Sequence, residues 1–110
     1  MIRRRVVAVA AVGAAALAAA PSLAAERGVA VKDDFFKPNA VTILKGTRVV
    51  WTWRGEGRHN VVAAQGPSEF RSIIKREGTY GHTFKRTGTW QIVCTVHSGM
   101  NMKVVVKKQL

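Results

Sequence analysis

Val41-Thr42-Ile43-Leu44-Lys45-Gly46-Thr47-Arg48-Val49-Val50-Trp51-Thr52-Trp53 holds two runs of alternating character on either side of Gly46-Thr47. The first run, Val41–Lys45, and the second, Arg48–Trp53, read as two strands around a tight turn. Val49, Trp51 and Trp53 share one face and Val50 and Thr52 the other, because side chains alternate across a strand. The same period of two recurs on both sides of this stretch. Val29–Lys32 is a short first strand. Asp33–Asn39, with Phe35, Phe36 and Pro38, reads as a connection whose aromatics pack down. His59–Ala64 resumes strand character after the glycine-punctuated loop Arg54-Gly55-Glu56-Gly57-Arg58. Gln65–Gly78 has no clear period and has room for a turn of helix. Thr79–Lys85 and Thr89–Cys94 read as a pair joined at Arg86-Thr87-Gly88, and Met102–Lys108 closes the chain. About seven short strands with no amphipathic helix predict an all-β fold, a small sandwich or barrel.

The chain has 110 residues, with 18 Lys+Arg against 6 Asp+Glu, one cysteine and three histidines. Such a length supports one modest core, which excludes large enzymes and helical repeats. A single cysteine excludes an internal disulfide and a Cys-rich structural zinc site. The N-terminal 25 residues stand apart. Arg3-Arg4-Arg5 precedes the apolar run Val6–Ala20, and Pro21-Ser22-Leu23-Ala24-Ala25 supplies a helix break with small residues. This is the pattern of a signal peptide cleaved after Ala24 or Ala25. The apolar run of about 15 residues falls short of the roughly 20 needed to span a bilayer. Residues 1–25 are therefore expected to be a signal peptide and residues 26–110 the mature domain, with a retained tether as the alternative. Export to the periplasm or another extracytoplasmic space follows. Setting aside the three N-terminal arginines leaves 15 basic and 6 acidic residues, a net charge of +9.

Chemistry concentrates in Cys94-Thr95-Val96-His97-Ser98-Gly99-Met100, where a thiol, an imidazole and a thioether fall within seven residues between two predicted strands. Parity places Cys94 on the face shared by Trp90 and Ile92, so it points inward while the loop bends over it. His59, opening another predicted strand, supplies a second imidazole. One Cys, two His and one Met form a mixed soft set. It suits copper in a trigonal site with a weak axial Met, whereas zinc gains little from a thioether. A c-type haem would need two cysteines before the histidine. His82 alternates with Tyr80 and Phe84 and reads as structural. Met102 shares parity with Val104 and Val106 and reads as core, which leaves it as the rival of Met100 for the axial position.

At these residues the chain resembles the cupredoxins, small blue-copper proteins of the plastocyanin, amicyanin and halocyanin type. Phe36-Lys37-Pro38, Val41-Thr42-Ile43, Gly46-Thr47 and Val49-Val50-Trp51 look like the first half of the family. His59-Asn60-Val61 looks like its first-ligand motif, and Tyr80-Gly81-His82-Thr83-Phe84 with Gly88-Thr89-Trp90 like the approach to its ligand loop. Cys94–Met100 is similar to the short amicyanin-type loop. The resemblance implies a Greek-key sandwich of seven to eight strands holding one type 1 copper ion. His59, Cys94 and His97 would be its equatorial ligands and Met100 its axial one. It also implies that Asn60 and Thr95 tie the two ligand-bearing segments together, with the Asn60 backbone N–H donating to the Cys94 sulfur. Ser98 departs from a common Pro, Met102 from a common Gly, and Ile92-Val93 from aromatics often found before the cysteine.

The expected function is one-electron transfer between redox partners, with no catalysis, since no nucleophile–base pair or carboxylate dyad is in view. The basic charge predicts docking on protein partners with acidic surfaces, or peripheral association with an anionic membrane. The chain is expected to act as a monomer. Copper delivery or sequestration in the periplasm is the alternative with the same ligands. A basic nucleic-acid-binding barrel is disfavoured, because it leaves Cys94, His97 and Met100 without a role.

Overall fold

The structure, a computed structural model, describes residues 25–109; the signal peptide expected at residues 1–25 falls almost wholly outside them. Eight strands follow in chain order: β1 Glu26–Lys32, β2 Phe35–Lys37, β3 Ala40–Leu44, β4 Arg48–Trp53, β5 Val62–Gln65, β6 Thr79–Thr83, β7 Gly88–Val93 and β8 Asn101–Lys107. They form two four-stranded sheets, ordered β2-β1-β4-β6 and β3-β8-β7-β5. Each sheet is mixed, with β1 parallel to β4 in one and β3 parallel to β8 in the other. No helix occurs among the described residues, and Gln65–Gly78 runs as irregular chain whose Arg71 and Lys75 make isolated bridges to Val62 and His59.

Burial alternates along β3, β4, β7 and β8, whereas β5 and β6 are only partly buried and show no alternation. Val49, Trp51 and Trp53 are buried, as are Trp90, Ile92 and Cys94, and Met102, Val104 and Val106. The two inner faces meet in one core, with Trp51, Phe84, Trp90, Ile92 and Val104 shielded from solvent. Each such apolar side chain contributes about 1.5–3 kcal/mol over its exposed state.

The pairing of neighbours differs from the sequence expectation in two places. β3 and β4 flank a tight turn yet belong to opposite sheets, and so do β6 and β7. Both connections are corners between sheets. At the first, Thr47 N–H donates to Leu44 O (3.0 Å), Gly46 N–H to Phe84 O (2.7 Å) and Phe84 N–H to Thr47 O (3.0 Å), which stitches the corners together. The reason is that alternation dictates which face of a strand is apolar, whereas packing of that face dictates its sheet. Phe35–Lys37, read as a connection, is a short edge strand paired with β1. Its alternation buries Phe36 and leaves Phe35 48% exposed, so only one of the two aromatics packs down.

Candidate metal centre

β7 and β8 are antiparallel neighbours, and Cys94–Met100 is the loop that joins them. Cys94 N–H donates to Met100 O (2.9 Å), closing the loop at its base. Met100 N–H donates to His97 O (3.2 Å), folding His97-Ser98-Gly99-Met100 into a β-turn. Gly99 takes φ 83°, the left-handed value that a third turn position of this kind assigns to glycine. Continuing the inward parity of β7, Cys94 is buried under the loop, while His97 at its crest keeps 35% of its side chain exposed.

His59 arrives from the other side. Its backbone exchanges two 3.0 Å hydrogen bonds with Lys75, and the Trp53 indole N–H donates to its carbonyl (3.1 Å). Next to it, buried Asn60 donates from Nδ2 to Thr95 Oγ1 (2.9 Å) and accepts the Thr95 N–H at Oδ1 (2.8 Å). These reciprocal bonds fasten the His59 segment to the cysteine loop, as the resemblance implied. The expected Asn60 N–H bond to the cysteine sulfur is not among the hydrogen bonds of the described residues. The polar neighbours of Sγ are His59 Nδ1 and His97 Nδ1, each at 3.9 Å.

His59, Cys94 and His97 thus present three donor atoms within 4.8 Å of one another. A triangle of that size leaves room for one ion at first-row bond lengths, about 2.0–2.3 Å for zinc with the same donors. One cysteine sulfur and two imidazole nitrogens select a soft transition metal. The residues present fit copper.

The two candidate thioethers separate clearly. Met102 lies in β8 opposite Ile92, 2% exposed, and its Sδ accepts the Trp51 indole N–H at 3.4 Å in the middle of the core. Met100, equally buried, belongs to the cysteine loop itself. His82 stacks on Phe70 (centroids 3.9 Å) and is not in the cluster. Its partial burial lowers its pKa by desolvation.

Sequence reasoning missed Asp33 and Asp34. Both lie in the two-residue turn between β1 and β2, and Asp33 Oδ1 sits 3.0 Å from His59 Nε2. The Asp33 carboxylate also accepts the Glu56 N–H (3.0 and 2.9 Å) and the Gly57 N–H (2.8 Å). The His59 hydrogen bond, and then these backbone donors, hold it well below the usual carboxylate range. Asp34 Oδ1 lies 3.3 Å from His97 Nε2. A pair of acids in a tight turn reads from sequence as a solvated corner. The one sequence sign of more was the glycine on either side of Glu56, which lets backbone approach closely.

With a mixed two-sheet sandwich and a His₂Cys cluster at one end of it, the class of protein is defined. Residues 24–108 match the family of copper binding proteins of the plastocyanin/azurin type, and the chain belongs to that family. It is 39% identical over 71 residues to a halocyanin of Natronomonas pharaonis, covering 61% of this chain and 44% of that protein. It is 36% identical over 76 residues to amicyanin-alpha of Methylorubrum extorquens, covering 66% of this chain and 64% of the relative. The match therefore spans less than two thirds of either relative. Among solved structures, a reduced Cu(I) form of an amicyanin variant superposes with TM-score 0.67 at 28% identity, covering 81% of this chain and 89% of that one. His59, Cys94 and His97 are positioned as a type 1 copper site, and copper is the cofactor of this fold.

Proposed function

We propose that this protein is an exported one-electron carrier whose copper is held by His59, Cys94 and His97, with Met100 as the axial thioether. The observation that carries the reading is the convergence of the Cys94 sulfur with two imidazole Nδ1 atoms, each 3.9 Å away, at one end of the sandwich. Bound there, copper supplies a Cu(II)/Cu(I) couple with no substrate to bind. The protein's part is to keep the ligands still. The reciprocal Asn60–Thr95 bonds, the Trp53 bond to His59 and the closed base of the loop oppose movement of any one ligand. Preorganised ligands lower the reorganisation between the two oxidation states.

Met100 is favoured as the axial ligand because Met102 already serves the core, accepting from Trp51. The half-exposed ring of His97 offers the path by which an electron leaves the buried centre. Val96 beside it is 43% exposed and gives a partner an apolar contact next to that ring. The net charge of +9 on residues 26–110 supports steering toward an acidic redox partner. No residue is assigned a catalytic role.

Addition of Cu(II) to the purified protein, followed by optical and EPR spectroscopy, tests the reading. An intense thiolate-to-copper band with narrow copper hyperfine splitting is expected, and Cys94→Ser should abolish both. A colourless copper complex, or a spectrum indifferent to Cys94→Ser, would overturn it in favour of copper handling without electron transfer.

A further inference from the structure

The β1–β2 turn carries two carboxylates in succession, and each meets a different imidazole. Asp33 Oδ1 lies 3.0 Å from His59 Nε2, and Asp34 Oδ1 lies 3.3 Å from His97 Nε2. We propose that Asp33 and Asp34 are paired positioning residues. Together they hold the Nε2–H of both histidines, keep both Nδ1 atoms aimed at the Cys94 sulfur, and place two negative charges beside the centre that favour Cu(II) over Cu(I). The inference rests on the copper reading above.

A neutral imidazole carries one N–H, and the atom that bears it is set by the hydrogen bond it finds. A carboxylate facing Nε2 fixes the proton there and leaves the Nδ1 lone pair for a metal. Both rings face the same way here, with Nε2 on a carboxylate and Nδ1 3.9 Å from Sγ. Their centroids are 4.7 Å apart, a span that two adjacent residues can bridge.

Asp33 is built in, not merely nearby. The β1–β4 pairing sets Val31 against Trp53, and Arg54 N–H donates to Val31 O (2.8 Å), so the chain after β4 wraps the turn. Residues 55–57 then close on the Asp33 carboxylate. A Cβ at Gly55 would overlap Asp33 Oδ1 and lie 2.7 Å from its Cγ and 2.8 Å from its backbone nitrogen. At Gly57 it would stand 3.2 Å from Oδ1 and 3.4 Å from His59 Nε2. Backbone that close to the carboxylate requires glycine at 55 and leaves only tight room for a side chain at 57.

Asp34 has its own mark. It adopts φ 72°, in the left-handed region that glycine, asparagine and aspartate tolerate best. The turn thus accepts an aspartate, and its carboxylate is the one that reaches His97. Because Asp34 is 72% exposed and Asp33 45%, solvent screens the Asp34 contribution more.

The test uses Asp33→Asn, Asp34→Asn and Asp34→Gly in the full chain, with one readout that needs no copper. In the metal-free protein under alkaline conditions, ring-nitrogen NMR should show the Nε2–H tautomer for His59 and His97. Either Asp34 variant should turn His97 into a tautomer mixture while His59 stays fixed. Asp33→Asn should do the reverse. With copper, each variant should remain blue, and its Cu(II) affinity should fall about tenfold relative to Cu(I), a rise in potential of about 59 mV. Asp34→Gly should do this without a loss of thermal stability, which separates positioning from folding. Unchanged tautomers together with an unchanged potential in a blue protein would overturn the proposal. A wild-type protein that is never blue would refute the copper reading instead, and the tautomers would still decide whether the carboxylates position the rings.

Discussion

Two turns lie at the same end of this sandwich, and they differ in almost every respect that sequence can register. The Cys94–Met100 loop joins adjacent strands of one sheet and carries three soft donors within seven residues. The Asp33-Asp34 turn joins the edge strand β2 to β1 in the other sheet and carries two acids. The first states its chemistry through rare residue types at short spacing. The second states nothing locally, because its carboxylates acquire a role only when the sandwich closes and His59 and His97 come within reach. A site can thus draw its donors from a conspicuous loop and their orientation from an inconspicuous one.

The sharpest way to break that contrast is Gly55→Ala. The added methyl collides with the Asp33 carboxylate and its backbone, leaving no rotamer to relieve it. Overpacking of this kind costs about 1–3 kcal/mol, and urea unfolding of the metal-free protein should show the loss. The same variant should release the His59 tautomer, as Asp33→Asn does. If Gly55→Ala unfolds at the wild-type midpoint, the close wrapping of the turn is wrong.

Much of the fold was legible because burial follows parity. The inward sets at 49, 51 and 53, at 90, 92 and 94, and at 102, 104 and 106 could each be read from alternation alone. Which strands become neighbours was not legible. β3 and β4 have turn chemistry between them, and both inner faces are apolar, so a hairpin and a corner between sheets satisfy the same local pattern. Only the competition among all the strands for one core separates them. The candidate site divides along the same line. His59, Cys94, His97 and Met100 were singled out by donor type, whereas Asp33 and Asp34 required the β1–β4 register, which is a long-range fact.

A smaller effect separates the two methionines. Met102→Leu nearly conserves volume and should cost less than about 1.5 kcal/mol, most of it from leaving the buried Trp51 N–H without the sulfur it now meets at 3.4 Å. Its blue spectrum should match the wild type. Met100→Leu should change the spectrum and potential while leaving stability of the metal-free protein nearly intact. A Met102 variant that alters the spectrum while the Met100 variant does not would reverse the axial assignment.

The smallest change strengthens the conspicuous loop. Ser98 is the first central residue of the turn closed by Met100 N–H and His97 O, a position where proline fixes φ in advance. Ser98→Pro removes freedom mainly from the unfolded chain, so a gain of about 0.4–1 kcal/mol is expected if the turn accepts it. The stiffer crest should also slow release of copper to a competing chelator, since His97 is more exposed than His59. Slower release with an unchanged potential would separate the two turns cleanly: the cysteine loop would govern how firmly His97 is kept, and the Asp33-Asp34 turn which way its ring faces. A destabilised variant that releases copper faster would mean that the wild-type turn already uses a conformation proline cannot adopt.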